Sequence, residues 1–148
     1  MAVIKANYQI IQKAAQQAFV DSMELLGSQG FDRAISDNIW DWPNATLRYG
    51  KGNRKKRPKK RPKSAPTEAG STRNIVDFGQ LRSSQKLIII KPGLARFVWA
   101  TEYAIYVHEG VTLRNGRQLP GRPWTQKGLE LYDWQAAFEK LLLAELGR

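Results

Sequence analysis

Histidine 108 and glutamate 109 stand side by side in a chain that has a single histidine. An imidazole that titrates near neutral pH beside a carboxylate that could orient it is the pairing expected of a general acid–base site. Neighbouring residues on a helix point about 100° apart, however, so this reading expects His108 and Glu109 to face no common substrate, with Glu102 no better placed. Asp77, Glu102 and Glu109 form a second candidate set, three carboxylates that would have to converge to hold a divalent metal as a nuclease does. Against it stands the plainer reading, in which Asp77 caps or turns the chain and both glutamates are solvated. Nucleophilic catalysis lacks its parts: there is no cysteine, no serine sits on an elbow motif, and no glycine run matches a dinucleotide or phosphate loop. The sequence therefore points away from an enzyme and names no cofactor.

Charge is the more informative feature. Nine of the 24 basic residues fall between positions 51 and 63 (Lys51, Arg54, Lys55, Lys56, Arg57, Lys59, Lys60, Arg61 and Lys63), with no acid among them, leaving 15 basic against 13 acidic residues elsewhere. A nearly neutral body thus carries one cationic segment, expected to contact DNA or another polyanion through its phosphates or carboxylates. Pro58, Pro62 and Pro66 remove backbone donors there and block a regular helix. A solvated charge run is the alternative. Five tryptophans and five tyrosines are a possible base-stacking platform, but their helical spacing favours core or subunit contact.

The elements that must position these groups read as α+β. A long first helix follows from Tyr8, Ile11, Ala15, Phe19, Ser22 and Leu26 recurring at spacings of three and four. Gly27 and Gly30 weaken or end it, a second short helix from Phe31 to about Ile39 turns Ala34 and Ile35 inward, and Trp40-Asp41-Trp42-Pro43 stops that. Positions 44–74 lack any period and read as a long basic loop inserted in a single domain spanning 1–148. Leu87-Ile88-Ile89-Ile90 and Phe97-Val98-Trp99 form an antiparallel pair across Lys91-Pro92-Gly93. A short helix from Thr101-Glu102 puts Tyr103, Tyr106 and Val107 on one face, which anchors it to the core, and ends at Gly110. Asn115-Gly116 makes a projecting hairpin of Val111 to Leu119. A long terminal helix runs from about Thr125 to Leu146, with Trp124, Leu131, Trp134, Phe138, Leu141 and Leu142 on one side.

The chain has 148 residues, enough for one domain. Without cysteine it has no disulfide framework, which fits a reducing compartment. No basic leader with an apolar run opens it, and no window approaches the ~18 apolar residues of a membrane span, so no membrane partner is expected.

Three stretches, in order, carry a resemblance: Arg73-Asn74-Ile75-Val76-Asp77-Phe78-Gly79-Gln80-Leu81-Arg82-Ser83-Ser84, Tyr103-Ala104-Ile105-Tyr106-Val107-His108-Glu109-Gly110, and Pro120-Gly121-Arg122-Pro123-Trp124-Thr125. Together they resemble the neck or tail-completion (head–tail joining) protein family of long-tailed bacteriophages. The chain departs from the family pattern at Phe78, where threonine is usual, and at Gly121, where alanine is usual. The resemblance covers roughly Ile75 to the C-terminus. It implies an α+β structural protein of the virion neck, made in the host cytoplasm, that forms a cyclic assembly, catalyses nothing, and contacts the head connector and the tail tube or terminator proteins.

A ring of about six subunits, with about twelve as the alternative, would close by head-to-tail contact. Tyr103, Tyr106, Trp124, Asn115 and Gly116 are then the expected structural or interface residues, and viral DNA in the channel the expected ligand of the basic segment. Two other classes compete: a free basic nucleic-acid-binding protein, and a metal-dependent nuclease.

Overall fold

The computed structural model describes residues 2–41, 72–73, 75, 79–114, 116 and 118–147, without side-chain detail for 2–6 and 72–73. The basic positions 51–63, together with Asp77 and Asn115, lie outside the described residues. The fold is α+β: a long N-terminal helix, three two-stranded antiparallel ladders among the described residues, and a C-terminal helix packed against the first.

Helix α1 spans Ala2–Leu25, and of the two effects expected of Gly27 and Gly30, a weakening or an end, the end does not occur. It runs on through a π-helical stretch, Leu26–Phe31, in which the Asp32 amide donates to the Gly27 carbonyl, and then into α2, Asp32–Ser36. The helix is widened locally and stays continuous; Gly30 lets another backbone approach (below), and Gly27 lies against the Gln85 and Phe97 side chains. Ala34 and Ile35 are fully buried, as their spacing requires. The Trp40 indole closes this end by donating to the Ala34 carbonyl at 2.7 Å.

Strand β1 (Trp40–Asp41) pairs with β2 (Thr72–Arg73), Asp41 opposite Thr72. The ladder holds the two flanks of segment 42–71 side by side and shortens the expected loop, since positions 72–73 are paired. The Ile75 amide then donates to the Ile35 carbonyl at 3.1 Å, returning the chain to the body. Gly79, at φ 74°, turns it into the single-turn helix α3, Gln80–Ser83.

Strands β3 (Gln85–Lys91) and β4 (Leu94–Trp99) pair as expected and extend further, with Gly93 at φ 76° completing the Pro92-Gly93 turn. Helix α4 covers Ala104–Glu109 and stops at Gly110, φ 84°. Strands β5 (Gly110–Thr112) and β6 (Gln118–Pro120) make the second hairpin, and the Gly116 amide donates to the Leu113 carbonyl at 2.9 Å inside its turn.

The single terminal helix expected from Thr125 to Leu146 is two helices: α5, Trp124–Leu131, and α6, Trp134–Leu146. Tyr132 is extended, and Asp133 caps α6 by accepting from the Ala136 amide at 3.0 Å. An aspartate ahead of an apolar run is an N-cap signal that competes with helix continuation. Trp134 at the start of α6 packs on the cluster of Met23, Leu26 and Phe31, so α6 runs back along α1, with Phe138, Leu141 and Leu142 half-buried.

Two buried clusters result. One joins Ala34, Ile35, Leu81, Ala104 and Trp124; the other joins Met23, Leu26 and Phe31, with Phe97 and Trp99 against it. A chain of edge-on rings connects them, from Phe31 to Trp99 at 5.5 Å and from Trp99 to Trp124 at 5.7 Å. Such pairs add about 0.5–1.5 kcal/mol each beyond buried area.

Candidate functional site

The three stretches singled out in the sequence meet in one place. Leu81, Ala104 and Trp124, one from each, lie in the same buried cluster, with Ile75 and Val107 packed against it. The Arg122 amide donates to the Val107 carbonyl at 2.9 Å, tying the third stretch to the second. Close backbone packing makes this possible. A Cβ on Gly121 would lie 2.7 Å from the Glu109 carbonyl oxygen, and one on Gly110 would lie 2.6 Å from the Gly121 nitrogen. Glycine at 121, where alanine would follow the resembled pattern, therefore lets the chain pass against the end of α4.

Arg122 is buried, which no signal in its sequence neighbourhood indicates. Its Nη1 donates to the Pro120 carbonyl at 2.8 Å, and burial pushes its pKa down from the ordinary arginine value. Arginine begins so far above neutrality that it stays a cation. Trp124 is 2% exposed, in line with a structural role at the start of α5.

Tyr103 and Tyr106 are placed differently from expectation. Both count as exposed, Tyr103 to 39% and Tyr106 to 56%, while Ala104 lies in the buried cluster with Val107 packed against it. On a six-residue helix only the narrow Ala104/Val107 side reaches the core, and the Tyr106 ring is left largely in solvent. Gly116 lies in the β5–β6 turn at φ 77°, in the left-handed region that an Asn-Gly hairpin requires.

His108 and Glu109, expected to diverge, are in contact. Nδ1 of His108 lies 2.5 Å from the Glu109 carboxylate, and its Nε2 lies 2.8 Å from the Thr125 hydroxyl. The long glutamate side chain folds back along the helix end, which helix geometry taken at the Cβ positions alone does not anticipate. The ring packs edge-on to Trp124 at 4.8 Å. The arrangement can hold the imidazole in one orientation and tie α4 to the first turn of α5. The carboxylate is 68% exposed, so solvent screens it and it can be drawn away at little cost. Among the described residues no three histidine, cysteine, aspartate or glutamate side chains gather as a metal site, and Asp77 lies outside them. No described helix is long and apolar enough to cross a membrane.

What the body does present is apolar surface. Tyr8, Ile10 and Ile11 are exposed on α1, Ile88, Ile89, Ile90 and Leu94 on the β3–β4 hairpin, and Ile105 and Tyr106 on α4. No known protein family, characterised protein or solved structure matches the chain.

Proposed function

We propose that this protein is a structural virion subunit of a tailed bacteriophage, a neck or tail-completion protein that forms a ring joining the head connector to the tail. The observation that carries the reading is the meeting of Leu81, Ala104 and Trp124 in one buried cluster. The three stretches that resemble the neck family thereby act as one packing unit, and the role assigned to them is assembly, not catalysis. The exposed apolar faces on α1, β3 and α4 supply the contacts a ring needs.

The basic segment, Lys51 to Lys63, supports DNA in the channel as the ligand. The same segment favours the second reading, a free nucleic-acid-binding protein. Native mass measurement and electron microscopy of the purified protein, with and without a connector protein, separate the two. Annular particles of about six or about twelve subunits are expected; a strict monomer under both conditions that binds DNA rules out the ring.

A further inference from the structure

Between the C-terminal half of α1, the π-helical stretch and the β3–β4 hairpin lies an open groove of about 340 Å³. Its floor is apolar, made by Val20, Leu87, Ile89 and Phe97. Two carboxylates stand at its rim. Glu24 is exposed at the rim, and Asp32, also on the rim, meets Arg82 at 3.0 Å. The Ser28 hydroxyl spends its proton on backbone carbonyls of α1. The Gln85 side-chain oxygen is buried at this groove with no hydrogen-bond partner among the described residues. An apolar floor beside the exposed Glu24 carboxylate suits an apolar segment that carries cations and no carboxylates.

The first turns of α1 have that chemistry. Residues 7–13 are all exposed, Tyr8 to 67% and Ile11 to 52%, and Gln9, Gln12 and Lys13 lie among them. No acidic residue occurs in the sequence before Asp21. The same molecule cannot bring the two together, because the continuous helix holds Ile11 roughly 20 Å from Glu24 at 1.5 Å per residue.

We propose that the exposed N-terminal end of α1 of one copy seats in the groove between α1 and the β3–β4 hairpin of the next copy. The contact joins two different patches, so its repetition runs head to tail and generates a ring if the rotation closes; for that closure it rests on the ring reading above.

The absence of native cysteine makes the test direct. Tyr8→Cys and Ile89→Cys proteins, each checked for unchanged helical circular dichroism and thermal transition, are mixed and oxidised. More covalent dimer is expected from the mixture than from either variant alone or from a mixture of Gln17→Cys with Gln135→Cys. Dimer no greater than in these controls overturns the proposal. Adding Glu24→Lys to the Ile89→Cys protein should abolish the cross-link, and Lys13→Glu on the Tyr8→Cys protein should restore it; cross-linking indifferent to both changes also overturns the proposal. Annular particles without this cross-link leave the ring standing and remove the contact, whereas the cross-link without annular particles keeps the contact and makes the assembly an open chain.

Discussion

Gly30 and Gly128 meet backbone to backbone: a Cβ on Gly30 would lie 2.8 Å from the Gly128 carbonyl oxygen, and one on Gly128 would lie 3.0 Å from the Gly30 carbonyl carbon. The π-helical stretch and α5 cross at this point, which is what brings Trp124 over the core. Gly128→Ala would also drive its methyl into the Phe31 ring, 2.3 Å from the nearest carbon. Gly128→Ala should therefore destabilise the protein by about 1–3 kcal/mol, the usual cost of overpacking. A lowered urea midpoint with unchanged slope checks this, and unchanged stability contradicts the packing described.

Replacing Trp124 separates bulk from polarity. Trp124→Ala should cost about 3–5 kcal/mol, as large-to-small core changes do. The Trp124 indole nitrogen is buried without an acceptor among the described residues. Trp124→Phe removes that unpaired group while keeping a ring beside Trp99, so it should cost clearly less than alanine. Thermal melts of the two variants measure the difference, and equal losses would mean that ring volume is not what the site requires.

The contact of His108 with Thr125 predicts an effect on stability and none on assembly. His108→Ala removes that hydrogen bond and the edge-on contact with Trp124, and should lower stability by about 1–2 kcal/mol. Glu109→Ala, at an exposed position, should change it by less than about 0.5 kcal/mol. Both variants should assemble as the parent does. Loss of ring particles in a folded Glu109→Ala protein would assign that carboxylate to an interface.

Deleting Lys51 to Lys63 should leave the fold intact, since Asp41 and Thr72 remain paired across the root of the segment. DNA affinity should fall, and the dependence of log affinity on log salt should flatten by about 0.9 for each phosphate that is no longer neutralised on duplex DNA. A salt series with and without the segment reads both quantities. Identical affinity and slope would leave the segment without a nucleic-acid role.

Local signals are legible in the chain. The Pro92-Gly93 turn, the hairpin around Gly116, the stop at Gly110 and the apolar run of β3 depend on nearby residues and stand where the sequence puts them. Two local signals of opposite sense mislead. Gly27 and Gly30 suggest a helix end and Asp133 lies inside an unbroken helical period; the structure continues through the glycines and breaks at the aspartate. Helix propensity alone does not tell a breaker from a residue that admits a neighbour, because that depends on whether a second backbone arrives.

By itself, the sequence determined the first helix, the β3–β4 and β5–β6 hairpins, the concentration of positive charge between positions 51 and 63, and the three stretches that carry the resemblance. Periodicity, turn chemistry and charge are properties of neighbouring residues. Tertiary structure decided which faces those elements bury. It set Trp124 against Ala104 and Leu81, left Tyr106 in solvent, buried Arg122, and brought His108 to Thr125, seventeen residues away. Each outcome depends on how α4 and α5 pack, and that packing is set by glycines at 30, 110, 121 and 128, whose missing side chains matter only once the chain has folded against itself.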